Sequence, residues 1–98
     1  MNKELSIILP VYNEKDSLPI MVRILNSSIK FKKEIIIVYD SENDNTIEVA
    51  EDLANEFENV KVVHNKLSKG VRFAVDSGVA NAKFETVLIT AVDEIFPI

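Results

Sequence analysis

Cysteine is absent from the chain, which excludes disulfides and thiolate metal sites. Glycine and proline are scarce, with two and three among 98 residues, so most of the chain is expected in regular structure. No apolar run approaches the roughly 20 residues that a membrane-spanning helix needs. The opening "MNKELSIILPVYNE" holds only a short apolar run, interrupted by Pro10 and followed by acid, and so lacks a secretory signal pattern. A cytoplasmic setting is the expectation. Basic residues are outnumbered, 11 Lys and Arg against 16 Asp and Glu, for a net charge of −5. That balance argues against a nucleic-acid partner, which requires a basic face. Two nucleotide signatures are also missing. There is no G-x-G-x-x-G and no G-x-x-x-x-G-K-[ST], so phosphates would not be held by a glycine-rich loop.

What remains is an ordinary globular composition, 47% apolar and 28% charged. The length fits one domain, read here as 1–98. A domain of this size buries roughly 60–68% of its unfolded surface, enough for a core without staples. Four segments are rich in β-branched and apolar residues without clean alternation: "LSIILPV" (5–11), "EIIIVY" (34–39), "VKVVH" (60–64) and "TVLITAV" (86–92). Such runs read as strands buried on both faces. Three helical stripes lie between them. Leu18, Met21, Val22, Leu25 and Ile29 form the first, with Asp16 or Ser17 as cap and Pro19 in the first turn. Ala50, Leu53, Ala54 and Phe57 form the second, with Thr46 as candidate cap and Glu48 near the N-terminal end, where negative charge is favoured. Val71, Ala74, Val75, Gly78, Val79 and Ala82 form the third. The order β-α-β-α-β-α-β predicts an α/β, Rossmann-like parallel sheet of about four strands with three helices and right-handed crossovers.

In such a sheet, ligands bind beyond the carboxyl ends of the strands, where strand order reverses. The polar clusters there are "YNE" (12–14), "DSENDN" (40–45), "NKLSKG" (65–70) and "DE" (93–94). Three contain acids and one is basic. The mixture suits a metal-chelated phosphate attached to a polar heterocycle, with Mg²⁺ or Mn²⁺ preferred by hard carboxylate oxygens. Paired acids after the first strand, which a phosphoacceptor receiver domain requires, are absent. Each cluster also has a plainer reading. Asp40, Asn43, Asp44 and Asn45 are turn formers, Lys66 and Lys69 are ordinary surface charges, and His64 and Tyr39 can be strand-end packing. Gly70 serves the start of a helix and Gly78 a close helix–sheet approach.

"SIILPVYNE" (6–14), "EIIIVYDSENDNT" (34–46), "NKLSKGVRFAVDSGVANAK" (65–83) and "TVLITAVDEIFP" (86–97) together resemble the successive blocks of family-2 glycosyltransferases. The resemblance is greatest to the polyprenyl-phosphate sugar transferases, such as dolichyl-phosphate mannose synthase. It implies the nucleotide-binding half of a GT-A fold, a UDP- or GDP-sugar donor, Mg²⁺ or Mn²⁺, and a polyprenyl-phosphate acceptor. Pro10, Tyr12 and Glu14 match the block that lines the nucleoside pocket. Asp40 matches the acid that reads the base, and Asp44 the acid later in that loop. Lys69 and Gly70 match the basic-glycine pair before the third helix, and Asp93 the second acid of the metal motif, with Glu94 beside it. Two positions depart from the pattern. Tyr39 stands where an acid is usual, and Ala91 replaces the first metal-motif acid. The catalytic base and acceptor site are expected beyond Ile98, so the segment reads as the donor-binding part of a longer, inverting transferase. The competing reading is a non-catalytic nucleotide- or partner-binding module. The apolar fourth strand, if uncovered, is expected to pair two copies into a homodimer.

Overall fold

The computed structural model describes residues 4–67 and 70–92. The elements run β1 (Glu4–Pro10), α1 (Leu18–Ser28), β2 (Lys32–Tyr39), α2 (Thr46–Glu56), β3 (Val60–His64), α3 (Val71–Ala80) and β4 (Val87–Ile89). The strands form one sheet in the order β3-β2-β1-β4, and every pairing is parallel. The predicted element order and sheet type are therefore those observed.

Register explains the unbroken apolar runs. Ile7 lies beside Ile35 and Leu9 beside Ile37, while Ile8 lies beside Ile36 between them. The odd set packs under α1 and α2 with Leu18, Met21, Val22, Leu25, Ala50 and Leu53. The even set packs with Val38 and with Ala74 of α3 on the opposite face. The isoleucines of β1 and β2 are fully buried, each worth about 1.5–3 kcal/mol of apolar transfer. Gly78 brings α3 down onto this second face. A Cβ there would sit 2.5 Å from Ile8 Cγ2 and 3.3 Å from Val38 Cγ2.

The outer strands differ from expectation. β4 spans only Val87–Ile89 rather than 86–92, and its Leu88 and Ile89 are exposed. β3 is mostly half-buried. The cause is position: among the described residues only β1 and β2 have a strand on either side and a helix on each face. The helix starts differ too. Ser17 occupies the N-cap position of α1 without a side-chain bond. The N-cap of α2 is Asn45, not Thr46. The Thr46 hydroxyl is engaged elsewhere, accepting from the Glu14 N–H at 2.8 Å. Asp44 Oδ1 takes the Thr46 N–H instead, at 2.8 Å.

A buried carboxylate secures the far edge of the sheet. Glu34 accepts from Ser6 Oγ at 2.6 Å and from the Lys83 N–H, and pairs with Lys61 Nζ at 3.1 Å. Ser6 Oγ in turn accepts from the Phe84 N–H at 3.1 Å. This network fastens the segment between α3 and β4 to the two central strands. Burial alone would raise the Glu34 pKa, but the bonds from Ser6, Lys83 and Lys61 outweigh it and hold the carboxyl below its ordinary value.

Candidate nucleotide-binding site

β2 and β3 extend the sheet from one side of β1, and the chain then crosses over so that β4 pairs with the other side. The reversal of strand order falls between β1 and β4. A cavity of about 460 Å³ opens there, at the carboxyl ends of the strands, within the size range of small-molecule sites. Pro10, Val11, Tyr12 and Glu14 line it from the end of β1 and the loop that follows. Asp40 lines it from the end of β2, Ala74 from the first turns of α3, and Ile89, Thr90 and Ala91 from the end of β4.

Two loops are zipped together beneath this cavity. Asn13 adopts the left-handed conformation, φ 49°, which asparagine tolerates better than most residues. Its N–H donates to Asp44 Oδ1 at 2.9 Å, and its Oδ1 accepts the Asn45 N–H at 3.0 Å. Asn45 Oδ1 accepts the Lys15 N–H at 3.3 Å. The clamp fixes the backbone on either side of Glu14, whose Oε1 accepts the Tyr12 N–H at 3.1 Å. Tyr12 is left 72% exposed at the cavity wall. An aromatic ring held in that position offers a stacking surface. Asp44 was expected in the binding set. It is buried, takes two backbone N–H groups on one oxygen, and is not among the described residues that line the cavity. Its role here is to build the loop that carries Tyr12 and Glu14.

Asp40 is held from three directions. Asn65 Nδ2 donates to its Oδ1 at 2.6 Å, the Gly70 N–H donates to its Oδ2 at 3.1 Å, and His64 Nε2 lies 2.9 Å from its carbonyl oxygen. His64 therefore has a partner, and it also stacks on Tyr39 with ring centroids 4.7 Å apart. Gly70 sits at φ 120°, a conformation that suits glycine, and so turns its N–H toward Asp40. Asn65 Oδ1 accepts from Ser77 Oγ at 2.7 Å and from the Leu67 N–H at 3.1 Å. Sequence reasoning placed Asn65 in the third polar cluster without singling it out, and missed Ser77. The signal was the Asn directly after a buried strand.

Lys69, Asp93 and Glu94 lie outside the described residues. Among the described residues no group of three or more acidic, histidine or cysteine side chains gathers to hold a metal. Among the described residues, Glu14 and Asp40 are the acids that line the cavity, and Ala91 contributes no oxygen ligand from its side chain. The described residues thus do not by themselves make a Mg²⁺ or Mn²⁺ site. Among them, no helix is long and apolar enough to cross a membrane.

The glycosyl transferase family 2 profile matches residues 6–98. The chain belongs to glycosyl transferase family 2. The dolichol-phosphate mannosyltransferase of Pyrococcus furiosus is 32% identical over 91 residues, covering 92% of this chain and 26% of that enzyme. The structure of S. aureus TarS 1-349 in complex with UDP-GlcNAc superposes with a TM-score of 0.70 at 25% identity, covering 93% of this chain and 27% of that one. The mannosyltransferase PcManGT from Pyrobaculum calidifontis, in complex with GDP-Man and Mn²⁺, gives a TM-score of 0.74 at 23% identity, covering 96% and 28%. This family-2 chain thus spans about a quarter of the length of these relatives, and its α/β fold is that of GT-A glycosyltransferases.

Proposed function

We propose that this segment is the donor-binding part of an inverting glycosyltransferase that takes a UDP- or GDP-sugar. The observation that carries the reading is the β1/β4 cavity, with Tyr12, Glu14 and Asp40 on its walls. Tyr12 presents a ring for stacking a base and Asp40 presents acceptors to its edge. The Gly70 N–H ties the start of α3 to Asp40, and Lys69, which precedes it in sequence, is the proposed basic group for the diphosphate. Pro10 shapes the wall where β1 ends. Support for a nucleotide sugar comes from the family and from the UDP-GlcNAc and GDP-Man complexes of its structural neighbours. Mg²⁺ or Mn²⁺ belongs to the reading through Asp93, one residue beyond the described Val92, and through the Mn²⁺ of one neighbour. No residue of this segment is assigned as the base that accepts the acceptor's proton. A polyprenyl phosphate is the proposed acceptor, supported by the dolichol-phosphate mannosyltransferase likeness, and it would bring the enzyme to a membrane surface. The exposed Leu88 and Ile89 on the edge strand β4 support pairing of two copies, which light scattering at high concentration tests; a clean monomer counts against it.

Thermal melting with UDP, GDP and their sugars, with and without Mn²⁺, tests the donor reading. A ligand at 100 times its Kd adds about 2.7 kcal/mol of stability, and no shift with any of them overturns it. Ala91 on the cavity wall favours a second reading, a binding module without transfer activity. Binding that is identical with and without Mn²⁺, with no sugar released from the donor, would select that alternative.

A further inference from the structure

The hydrogen bonds around Asn65 have a fixed polarity. The Leu67 backbone N–H donates only, so the Asn65 atom 3.1 Å from it is the carbonyl oxygen. The Asn65 amide nitrogen therefore faces Asp40 Oδ1, at 2.6 Å. Ser77 Oγ reinforces this orientation by donating to the same carbonyl oxygen at 2.7 Å. Both Asn65 and Ser77 are buried, so water cannot readily substitute for either. The Gly70 N–H donates to the other oxygen of Asp40. Each carboxylate oxygen thus accepts one protein hydrogen bond, and a carboxylate has about four lone-pair sites in all. The remaining sites on this cavity-lining residue are acceptors.

We infer that Asn65, oriented by Leu67 and Ser77, is a positioning residue that fixes Asp40 as an acceptor toward the base and thereby selects nucleotides whose base presents an N–H there. Uracil N3 and guanine N1 carry that hydrogen. Cytosine N3 and adenine N1 are acceptors and meet Asp40 lone pair to lone pair. The inference rests on the proposed nucleotide reading and adds to it the residues that set base preference. It also assigns Ser77, on α3, to specificity rather than to packing alone.

Isothermal titration of UDP, GDP, CDP and ADP into the wild-type chain and its Asn65→Asp and Ser77→Ala variants tests it. The wild type is expected to prefer UDP or GDP. In Asn65→Asp an acceptor replaces the donor to Asp40 Oδ1, so Asp40 loses the bond that holds its lone pairs toward the base. The preference for UDP over CDP should then fall by about tenfold, the size of effect expected when a hydrogen-bond polarity is lost. Ser77→Ala should lower the same ratio by about twofold to threefold, through loss of one neutral hydrogen bond. A residue that only holds the fold would weaken all four nucleotides equally and leave the ratios unchanged, and that result overturns the inference. If Asn65→Asp does not melt cooperatively, Ser77→Ala decides alone, and an unchanged ratio overturns it. A wild type that binds without base preference overturns this inference while leaving the nucleotide site intact. A wild type that binds none of the four overturns the nucleotide reading and this inference together.

Discussion

Asn13 and Asp44, from the loops after β1 and β2, are joined by a 2.9 Å hydrogen bond from the Asn13 N–H to Asp44 Oδ1. The same oxygen receives the Thr46 N–H, so one carboxylate ties one loop to the first turn of the helix that follows the other. Asp44→Ala is expected to leave two buried or half-buried N–H groups without a partner and to cost about 1–3 kcal/mol. Urea denaturation measures the loss. Nucleotide affinity should fall as well, because the left-handed turn at Asn13 sets the backbone of Tyr12 and Glu14.

Gly78→Ala sets helix propensity against space. Alanine gains up to about 1 kcal/mol over glycine in a helix interior. Its Cβ, however, would stand 2.5 Å from Ile8 Cγ2, a stiff β-branched atom on a central strand. Overpacking of this kind costs about 1–3 kcal/mol, so the variant should be destabilised, with a lower urea midpoint.

Glu34 makes stability depend on acid. Its carboxyl is held below the ordinary glutamate value in the folded chain by Ser6, Lys83 and Lys61, against the opposing effect of burial. A depressed folded pKa stabilises above the unfolded value, and the contribution is lost as pH falls through the folded one. Stability should therefore decline on acidification below the ordinary carboxylate range. Glu34→Gln should flatten that decline while lowering stability at neutral pH. Denaturation midpoints for both proteins across the acid range check the sign.

The central strands were legible because they are apolar on both faces, and Ile7, Ile8 and Leu9 show no alternation to misread. The helical stripes were legible for the complementary reason, since Leu18, Met21, Val22 and Leu25 repeat at helical spacing. The short, exposed β4 was not, because "TVLITAV" has the same composition as a central strand and only the sheet order makes it an edge. Capping of α2 was misplaced by one residue because Asn45 and Thr46 are both good cap types. Strand alternation points to the polar clusters at the strand ends, the family resemblance singles out Tyr12, Glu14 and Asp40 within them, and all three line the cavity between β1 and β4. The Asp40–Asn65–Ser77 chain was not legible, since it joins residues of three separate segments through contacts that no local pattern encodes. Asp44 is a binding candidate through its match to the family block, and its bracing bonds to the Asn13 and Thr46 N–H groups are contacts that sequence does not encode.

The cavity between β1 and β4 is proposed to bind a nucleoside diphosphate. A backbone amide NMR titration of the chain with UDP and with GDP tests it most directly. Saturable shifts should gather at Tyr12, Asp40, Gly70, Ala74 and Ala91 with at least one of the two, and Asp40→Ala should abolish or strongly weaken them. No shifts with either nucleotide, or shifts confined to Glu34, Lys61 and Lys83 at the opposite edge of the sheet, would contradict it.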